Sequence, residues 1–288
     1  MSVSMNDIKN KILSTQNMSK ITKAMQLVSA AKLAKSESKV RNYRSYTQTL
    51  EAIVDNILAS PVARQHPFFN SEKSDACTGY LLITSDRGLA GGYNNNVFKE
   101  FLQQLEEEEA TPYKLYVLGS KGFEYGKRLK LPIENPYVFV PDEMIYTDIE
   151  PVVGQIREDY LSGKINKVVI IYNEYFSKIV QEPVIRKVLP LVAENSELQA
   201  ASDYYLEPEE ETIINATLLK YFNGIVYEAL LKSKLSEHAS RMNAMQNATD
   251  NAGEIIKISQ LIYNQARQAA ITQEINEIVG GASSLKRT

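Results

Sequence analysis

The sequence predicts a mixed α+β and α/β fold class, in which a long antiparallel coiled coil of terminal helices adjoins a central Rossmann-like α/β domain. All ten prolines lie between Pro61 and Pro208, and nine of the thirteen glycines lie between Gly79 and Gly163. Helix-breaking residues are therefore concentrated in the middle of the chain. The predicted segments are an N-terminal coiled-coil helix (1–60), a globular α/β domain (76–192) and a C-terminal coiled-coil helix (209–285).

The N-terminal segment shows apolar residues at steps of three and four, which is the pattern of one helix face. Strong helix formers such as Ala24, Ala30 and Ala31 lie among them. About 55 residues would form a helix roughly 80 Å long, which a domain of ordinary size cannot cover. The apolar positions are Ile8, Ile12, Ile21, Met25, Val28, Leu50, Val54 and Ile57.

The C-terminal segment begins with Pro208 and three glutamates, a pattern typical of a helix start. Apolar or small residues then follow a seven-residue repeat, and the Gly280–Gly281 pair predicts a stop. Because two long apolar stripes most simply bury each other, we predict an antiparallel coiled coil. The repeat contains Leu235, Met242, Met245, Ala252, Ile256, Tyr263, Ala266 and Ala270, with the polar residues His238, Thr249 and Ser259 also on it.

The middle of the chain alternates β-branched runs with amphipathic segments, as a small parallel sheet with helices on its faces requires. The last strand follows the one before it closely enough to pair with it as an antiparallel hairpin. The predicted strands are 80–84, 114–118, 137–140, 167–172 and 179–189, and the predicted helices are 97–108, 121–129 and 149–161.

The composition excludes several classes of protein. Cys77 is the only cysteine, so no internal disulfide can form, and we expect a reducing compartment. With His66 and His238 as the only histidines, the sequence offers too few soft ligands for a zinc or iron–sulfur site. No stretch approaches the ~20 apolar residues of a membrane span, and the first residues lack the apolar core of a signal peptide.

The net charge of −3 is unevenly distributed. Residues 1–44 carry nine lysines and arginines against Asp7 and Glu37, a net of +7, which leaves −10 for the other 244 residues. Such asymmetry indicates an acidic partner for the N-terminal segment. A solvated lysine-rich helix face would give the same pattern.

The segment Ser85–Asn94 is the one loop that suggests catalysis, because glycine-rich turns between a strand and a helix bind phosphates in α/β folds. It lacks both the GxGxxG spacing and the Gly-Lys-Ser/Thr ending of nucleotide sites. A structural turn is therefore the preferred interpretation. We predict no catalytic, cofactor or metal site.

The end of the C-terminal helix is unusually poor in charge. Between Ile258 and Gly281, only Arg267, Glu274 and Glu277 are charged. Burial against the N-terminal helix would explain one apolar face but not a low charge on all sides. An exposed apolar helix end indicates an interface.

Three groups of motifs stand near the beginning, in the middle and near the end of the chain. They are Ile21–Met25, Val28 and Ala31–Leu33; Ser85–Leu89, Gly91 and Gly92; and Glu237–Met242, Ala244, Met245, Asn251, Ala252, Asn264, Arg267–Ala269, Ile271 and Thr272. Together they resemble the gamma subunits of bacterial-type ATP synthases, over nearly the whole chain. The sequence departs from the family pattern at Ala90 and Tyr93, where cysteine and phenylalanine are frequent. It lacks the redox-regulatory insertion and transit peptide of chloroplast members, which favours a bacterial enzyme.

The resemblance implies a non-catalytic rotor, present in one copy per complex. The terminal helices would form an axle inside a hexamer of alpha and beta subunits. The α/β domain would lie against the epsilon subunit and the membrane ring of c subunits, with the delta subunit elsewhere in the complex. The implied location is peripheral, on the cytoplasmic face of the bacterial cell membrane, with no nucleic-acid partner.

The resemblance also assigns roles to individual residues. Lys20, Lys23 and Met25 would lie near acidic lever loops of the catalytic subunits. Arg267, Gln268 and Thr272 match positions that hydrogen-bond a catalytic-subunit loop in one rotary state, and Arg241 belongs to the same predicted interface. The predicted bearing tip, which would turn in an apolar sleeve, consists of Ile271, Ile275, Ile278, Val279 and Leu285.

Two other functions compete with this interpretation. A nucleotide-dependent enzyme could use the loop from Gly88 to Gly92. A coiled-coil nucleic-acid binder could use the basic N-terminal arm, although that arm has no aromatic residues for stacking before Tyr43 and Tyr46, and the rest of the chain is acidic.

Overall fold

The computed structural model describes residues 4–57, 60–69, 77–108, 111–135, 139–191, 207 and 209–285. The chain forms two compact units. The terminal unit consists of Met1–Val28 with Met242–Thr288, and the central unit consists of Ser29–Arg241. No helix among the described residues is long and apolar enough to cross a membrane.

Both predicted long helices are confirmed. Helix α1 spans Met5–Ile57 and helix α6 spans Glu210–Leu285, with 53 and 76 residues. The predicted stop at Gly280 and Gly281 was wrong, because α6 continues through both glycines. A glycine lowers helix stability by about 1 kcal/mol relative to alanine but does not by itself end a helix.

Within the terminal unit the two helices pair in antiparallel fashion. The hydroxyl oxygens of Thr22 and Thr249 lie 2.7 Å apart, and the Gln26 amide donates a hydrogen bond to the Gln246 side chain. As the residue number increases along α1, the number of the residue opposite it on α6 decreases. This is the predicted orientation of the coiled coil.

The seven-residue repeat of α6 lies against α1, as predicted. Met245, Ala252 and Ser259 are buried, and the residues between them on the repeat are half-buried. Ala270 is exposed, so its assignment to the seam was wrong. Helix α1 begins at Met5, and the antiparallel pairing places Met5 opposite Ala266. Ala270 lies one turn further along α6, where α1 has no residue to cover it.

The predicted apolar face of α1 was partly wrong. Ile8 is buried, but Ile21 and Val28 are 56% and 55% exposed. The seam instead contains small and polar residues, among which Thr22 is buried. Small side chains allow two helices to approach closely, and the Thr22–Thr249 hydrogen bond satisfies the polar atoms that this approach encloses.

The central unit contains the predicted sheet, with strand order β2-β1-β3-β4. Strand β1 pairs in parallel with β2 and β3, and β4 pairs antiparallel with β3, as predicted for the last hairpin. The strands are β1 Thr78–Ile83, β2 Tyr113–Leu118, β3 Lys167–Tyr175 and β4 Gln181–Leu189.

Four shorter helices lie among the described residues of the central unit, and three of them were predicted to within four residues. They are α2 Pro61–Arg64, α3 Tyr93–Glu107, α4 Ser120–Arg128 and α5 Tyr146–Leu161, of which α2 was not predicted. The predicted strand at 137–140 was wrong in its described half: Phe139 and Val140 form no strand, while 137–138 lie outside the described residues. Ile133 instead bridges to Leu115 of β2.

The sheet is covered on both faces, because alternate side chains of a strand point in opposite directions. Leu81 and Ile83 of β1 pack in a core with α5, α6 and the end of α1. Tyr80 and Leu82 pack in a second core with α3. Helix α6 is antiparallel to α1 here as well, with the rings of Tyr43 and Tyr227 4.9 Å apart.

We expect the core packing of α6 to carry much of the stability of the central unit. Phe222 is fully buried, and its ring lies 5.8 Å from that of Phe68. Phe222→Ala should lower the free energy of unfolding by about 3–5 kcal/mol, because it leaves a cavity. Urea unfolding followed by circular dichroism measures this loss. Phe176→Ala, at an exposed phenylalanine, should cost less than about 0.5 kcal/mol, and equal losses would contradict the packing.

Candidate functional site

The last part of α6 has no helix beside it in the described structure. Ala266 is its last half-buried residue, and every described side chain beyond it is exposed. Residues 267–285 are therefore named the α6 end. The exposure follows from the antiparallel pairing, which brings the first residue of α1 opposite Ala266.

The α6 end presents apolar side chains to its surroundings. Ile271, Ile275 and Ile278 follow one side of the helix at steps of four and three, and Val279 adjoins them. All four are about half exposed or more, with Ile278 at 66%. The side chain of Leu285, the fifth residue of the predicted bearing tip, lies outside the described residues. A largely uncharged apolar surface of this kind is typical of an interface.

The terminal unit carries further apolar side chains on its outside. On α1 the exposed apolar residues include Met18, Ile21 and Leu27, while the seam is partly polar. This arrangement reverses the usual amphipathic pattern, in which apolar residues face the partner helix within the chain. On α6 the exposed residues are Ile255, Ile258, Leu261 and Ile262.

The basic residues of α1 predicted to form an interface lie on the surface. Lys20 and Lys23 are exposed three residues apart, so they lie on one side of the helix. The Lys23 ammonium group donates a hydrogen bond to Gln26 at 2.9 Å. Met25 is half-buried at the margin of the seam. The structure therefore places Lys20 and Lys23 on one side of α1 and Met25 on another.

The three predicted polar contacts of the α6 end are all exposed. Arg267 forms no ion pair with a described residue. The Thr272 hydroxyl donates to the carbonyl of Gln268 at 2.9 Å, one turn earlier on the same helix. These residues lie within two turns of one another and can meet one partner segment together.

Arg241 lies apart from the other predicted interface residues, in the central unit, and its side chain is only 11% exposed. Its guanidinium group donates to Glu237 at 2.8 Å and to the carbonyls of Arg87 and Gly88. It therefore fixes the glycine-rich loop to α6. Its contact with a catalytic subunit stays a prediction.

The glycine-rich loop is held by its own polar side chains. One carboxylate oxygen of Asp86 accepts from the Ser120 backbone N–H at 2.9 Å, and the other accepts from the Val140 N–H at 2.7 Å. The Asn94 side chain accepts from the Ser85 N–H at 3.0 Å. With both oxygens of Asp86 bonded to backbone, the loop forms a structural turn, as preferred from the sequence.

Buried charges on α6 link this loop to the rest of the central unit. Glu237 is buried, and its carboxylate meets the Lys234 ammonium group at 3.0 Å and the Arg241 guanidinium group at 2.8 Å. His238 beside it is 1% exposed, with Nε2 3.6 Å from Asp142. Burial lowers the pKa of His238 below its ordinary value of 6.5, so the imidazole is neutral at neutral pH.

The segment before α5 is tied to α1 by two ion pairs. Lys32 meets Asp142 at 2.5 Å, and Lys35 pairs with Glu143. Burial alone would raise the pKa of Asp142, but the hydrogen bond from Lys32 and the neighbouring cations lower it below the ordinary value. Sequence reasoning missed the contacts of Asp86 and Asp142, because their partners are distant in the chain. It also missed the ion pairs of Glu237, although Lys234 and Arg241 stand at helical spacing from it and that spacing could have indicated them.

Within the part of the chain that the structure describes, no three histidine, cysteine or carboxylate side chains converge as metal ligands would. Cys77 is half-buried and unpaired by disulfide, and burial raises the pKa of its thiol. A raised pKa disfavours the thiolate that a nucleophilic cysteine requires.

A paired-helix stalk with an apolar, weakly charged helix end, joined to a Rossmann-like sheet, defines a class of protein that acts through its surfaces. Comparison with known proteins identifies the family. The ATP synthase family model matches residues 4–285. The ATP synthase gamma chains of Exiguobacterium sp. (strain ATCC BAA-1283 / AT1b) and Staphylococcus carnosus (strain TM300) are 41% and 40% identical to this chain, over 98% of it and 99% of each relative.

Solved structures agree with this result. The Tetrahymena thermophila mitochondrial ATP synthase central stalk and c-ring includes a chain that is 26% identical, with a TM-score of 0.63 over 79% of this chain and 99% of that one. The rotor of the Euglena gracilis mitochondrial enzyme shares the fold at 18% identity, with a TM-score of 0.62 over 93% and 98% of the two chains. The chain belongs to the ATP synthase gamma chain family, and the family, the fold class and the central-stalk role predicted from the sequence are confirmed.

The buried His238 and the half-buried His66 predict acid sensitivity near neutral pH. Burial lowers the pKa of both His66 and His238, so the unfolded chain binds more protons than the folded one just below pH 6.5. Stability is fully present above that pH and decreases as the pH falls toward the folded-state values. Urea unfolding from about pH 7.5 to 5.5 should show this loss.

The single variants separate the two contributions. His66→Gln and His238→Gln should each flatten part of the pH dependence, and the double variant should remove most of it between these limits. A double variant that keeps the wild-type slope would show that other groups are responsible.

Proposed function

We propose that this chain is the rotor of an ATP synthase and couples ion flow through the membrane sector to ATP synthesis or hydrolysis by turning inside an alpha–beta hexamer. The observation that carries the proposal is the α6 end, where Ile271, Ile275, Ile278 and Val279 are exposed on a helix with few charges. The chain itself would perform no bond chemistry, since nucleotide chemistry would belong to the catalytic subunits.

An apolar helix end fits the role of a bearing. Apolar contacts are not directional, so their energy changes little as one surface turns against another. Hydrogen bonds and ion pairs would instead favour particular angles. The scarcity of charge near Ile271 and Ile278 therefore favours rotation in an apolar sleeve, with Leu285 as the last member of the proposed bearing tip.

A few polar groups would define preferred angles. Arg267 is exposed and forms no ion pair with a described residue, and Gln268 and Thr272 lie beside it. A charge-assisted hydrogen bond to a catalytic-subunit loop would contribute about 1.5–3 kcal/mol. That energy is enough to favour one rotary state and small enough to be overcome as torque accumulates.

The basic side of α1 would contact acidic lever loops of the catalytic subunits. Lys20 and Lys23 are exposed there, and the surrounding residues 1–44 carry a net charge of +7. Met25, between seam and surface, would supply flexible apolar packing at the same contact. Arg241 would belong to the interface with the catalytic subunits as well.

The central unit would form the foot of the rotor. It would lie against the epsilon subunit and the c-ring, with the delta subunit in the same complex and one gamma chain per hexamer. The chain would then be peripheral, on the cytoplasmic face of the bacterial membrane. Copurification of alpha, beta and epsilon subunits with this chain in that ratio tests the arrangement.

We expect Met25→Lys to reduce coupling. It places a charge at a half-buried position where adaptable apolar packing is needed. Membrane vesicles that contain the assembled enzyme should generate about half the membrane potential, or less, per ATP hydrolysed. Met25→Leu preserves size and polarity and is the matched control. Normal coupling in Met25→Lys would show that this contact is wrongly assigned.

Truncation after Glu274 should weaken assembly with the alpha–beta hexamer. It removes Ile275, Ile278 and Val279, which are exposed in the isolated chain. Burying even one such side chain contributes about 1.5–3 kcal/mol, so affinity should fall at least about tenfold. Circular dichroism should show that the central unit is still folded.

Removal of 286–288 alone is the matched control and should leave assembly unchanged. If the truncated chain and the control bind the hexamer equally well, the bearing proposal is wrong.

A further inference from the structure

The two edges of the sheet differ in how they are covered. On the outer side of β2, the Asn135 side chain accepts from the Val117 N–H at 2.7 Å and donates to its carbonyl at 2.9 Å. The Glu134 N–H donates to the Leu115 carbonyl at 2.9 Å. No described residue forms such bonds with the outer backbone groups of β4. Within the described residues, one edge is therefore closed by the chain itself, and the other is open.

The register of the hairpin shows which groups of β4 point outward. At the turn of the hairpin, the Phe176 N–H donates to the carbonyl of Val180. Phe176 and Val180 are therefore a hydrogen-bonded cross-strand pair. Hydrogen-bonded and non-hydrogen-bonded pairs alternate along antiparallel strands. Val184 and Arg186 therefore bond to β3, while Ile185 points its N–H and carbonyl outward.

Lys187 and Pro183 share the outward orientation of Ile185. Proline has no N–H, but at Pro183 that group would point away from β3, so no bond to β3 is lost. An outward-facing position of this kind is the usual one for proline in an edge strand. Ile185 and Lys187 together offer two N–H donors and two carbonyl acceptors, a ladder long enough to receive another strand.

A cavity of about 830 Å³ lies beside this edge, between β4, α1 and α6. Its apolar lining includes Val40, Ile225 and Leu235. The exposed Ile185 borders it on the sheet side, with 39% of its surface accessible. The open edge therefore adjoins a groove with room for side chains.

The charges of the groove are only partly paired. Arg186 meets Glu228 at 3.4 Å, and Lys232 meets Glu174 at 3.2 Å. Opposite them, Arg44 is exposed on α1 and forms no ion pair with a described residue.

Arg41, one turn earlier on α1, is likewise exposed and unpaired within the described structure. The carboxylate of Glu37 accepts a hydrogen bond from the Tyr175 hydroxyl at 2.9 Å. Glu51 lines the far end of the groove, about two turns beyond Arg44. The α1 wall therefore offers two free guanidinium groups to an acidic partner segment.

We propose that β4 receives an extended segment of another protein as a fifth strand of the sheet, with alternating acidic and apolar side chains. The acidic side chains would lie on the side of Val184 and Arg186 and meet Arg41 and Arg44. The apolar side chains would lie on the opposite side, against Ile185. Such strand addition takes its affinity from the backbone ladder and its specificity from alternate side chains.

Other occupants fit less well. A second copy of the chain that paired β4 with β4 around Arg186 would place Arg186 of one copy opposite Arg186 of the other, and like charges on neighbouring strands repel. A small polyanion would meet the carboxylates of Glu37, Glu51, Glu174 and Glu228 as well as the cations. A peptide strand bound through its backbone can place its side chains away from these carboxylates. A polyphosphate is charged along its whole length and would be repelled by them.

A short fluorescein-labelled peptide of alternating valine and glutamate tests the proposal with the full chain. Fluorescence anisotropy should show binding, and an alternating valine–lysine peptide should bind at least about tenfold more weakly. Methylating the backbone nitrogens on one edge of the acidic peptide should also weaken binding about tenfold, because it removes ladder bonds.

Protein variants locate the site. Ile185→Pro removes only an outward N–H and should weaken binding about tenfold, while Ile185→Val keeps that N–H and should bind like the wild type. The double substitution Arg41→Gln with Arg44→Gln should weaken binding and reduce its salt dependence. Circular dichroism checks that each variant is folded.

Several results would overturn the proposal. Absence of binding to the wild-type chain is one, and equal affinity for the methylated and unmethylated peptides is another. Self-association that Ile185→Pro abolishes, seen by analytical ultracentrifugation, would show that a second copy occupies the edge. Since the methylated peptide needs no protein variant, the test does not depend on the folding of Ile185→Pro.

Discussion

The central unit depends on the complete burial of one stretch of α6, residues 233–239. Because this stretch contains charged side chains, each buried charge needs a partner. Glu237 is the centre of these contacts, with Lys234 on one side and Arg241 on the other. Arg241 in turn bonds the carbonyls of the glycine-rich loop, which lies after β1. One buried carboxylate thus connects the helix, through Arg241, to the loop at the carboxyl end of the sheet.

The terminal unit is organised differently, since α1 and α6 have only each other within it. Their seam includes Thr22, Thr249 and Ala252 at positions where a stable coiled coil would carry larger apolar residues. Exposed residues such as Ile21 and Ile258 are more apolar than the seam they flank. The pair is therefore held by close approach and hydrogen bonds, and much of its apolar surface is free for other subunits. In an ordinary monomeric protein, placing the exposed apolar residues in the seam and the polar seam residues on the surface would increase stability.

Periodicity predicted the long helices, the four strands that form the sheet and most of the seam of α6, because strong repeats and breakers are local properties of the sequence. It also predicted a fifth strand at 137–140, where Phe139 and Val140 form none. It failed for Ile21 and Val28, since an apolar stripe predicts burial but does not say which protein buries it. It also could not predict the partners of Asp86 or Asp142, which come from β2–α4 and α1, far away in the chain. The open edge of β4 was equally invisible, because it depends on strand order and on Asn135 closing the opposite edge.

Helix α6 passes from burial on all sides at 233–239, through burial on one side opposite α1, to exposure on all sides beyond Ala266. An isolated helix with the 19 residues of 267–285 would have to offset the whole cost of nucleation by itself. Here the helix is already nucleated by the paired region before it, so each further turn needs only favourable propagation. The exposed isoleucines contribute little to that propagation by themselves. In the proposed assembly their contribution would come when an apolar sleeve covers them, and the order of the α6 end and its docking would then be two aspects of one equilibrium.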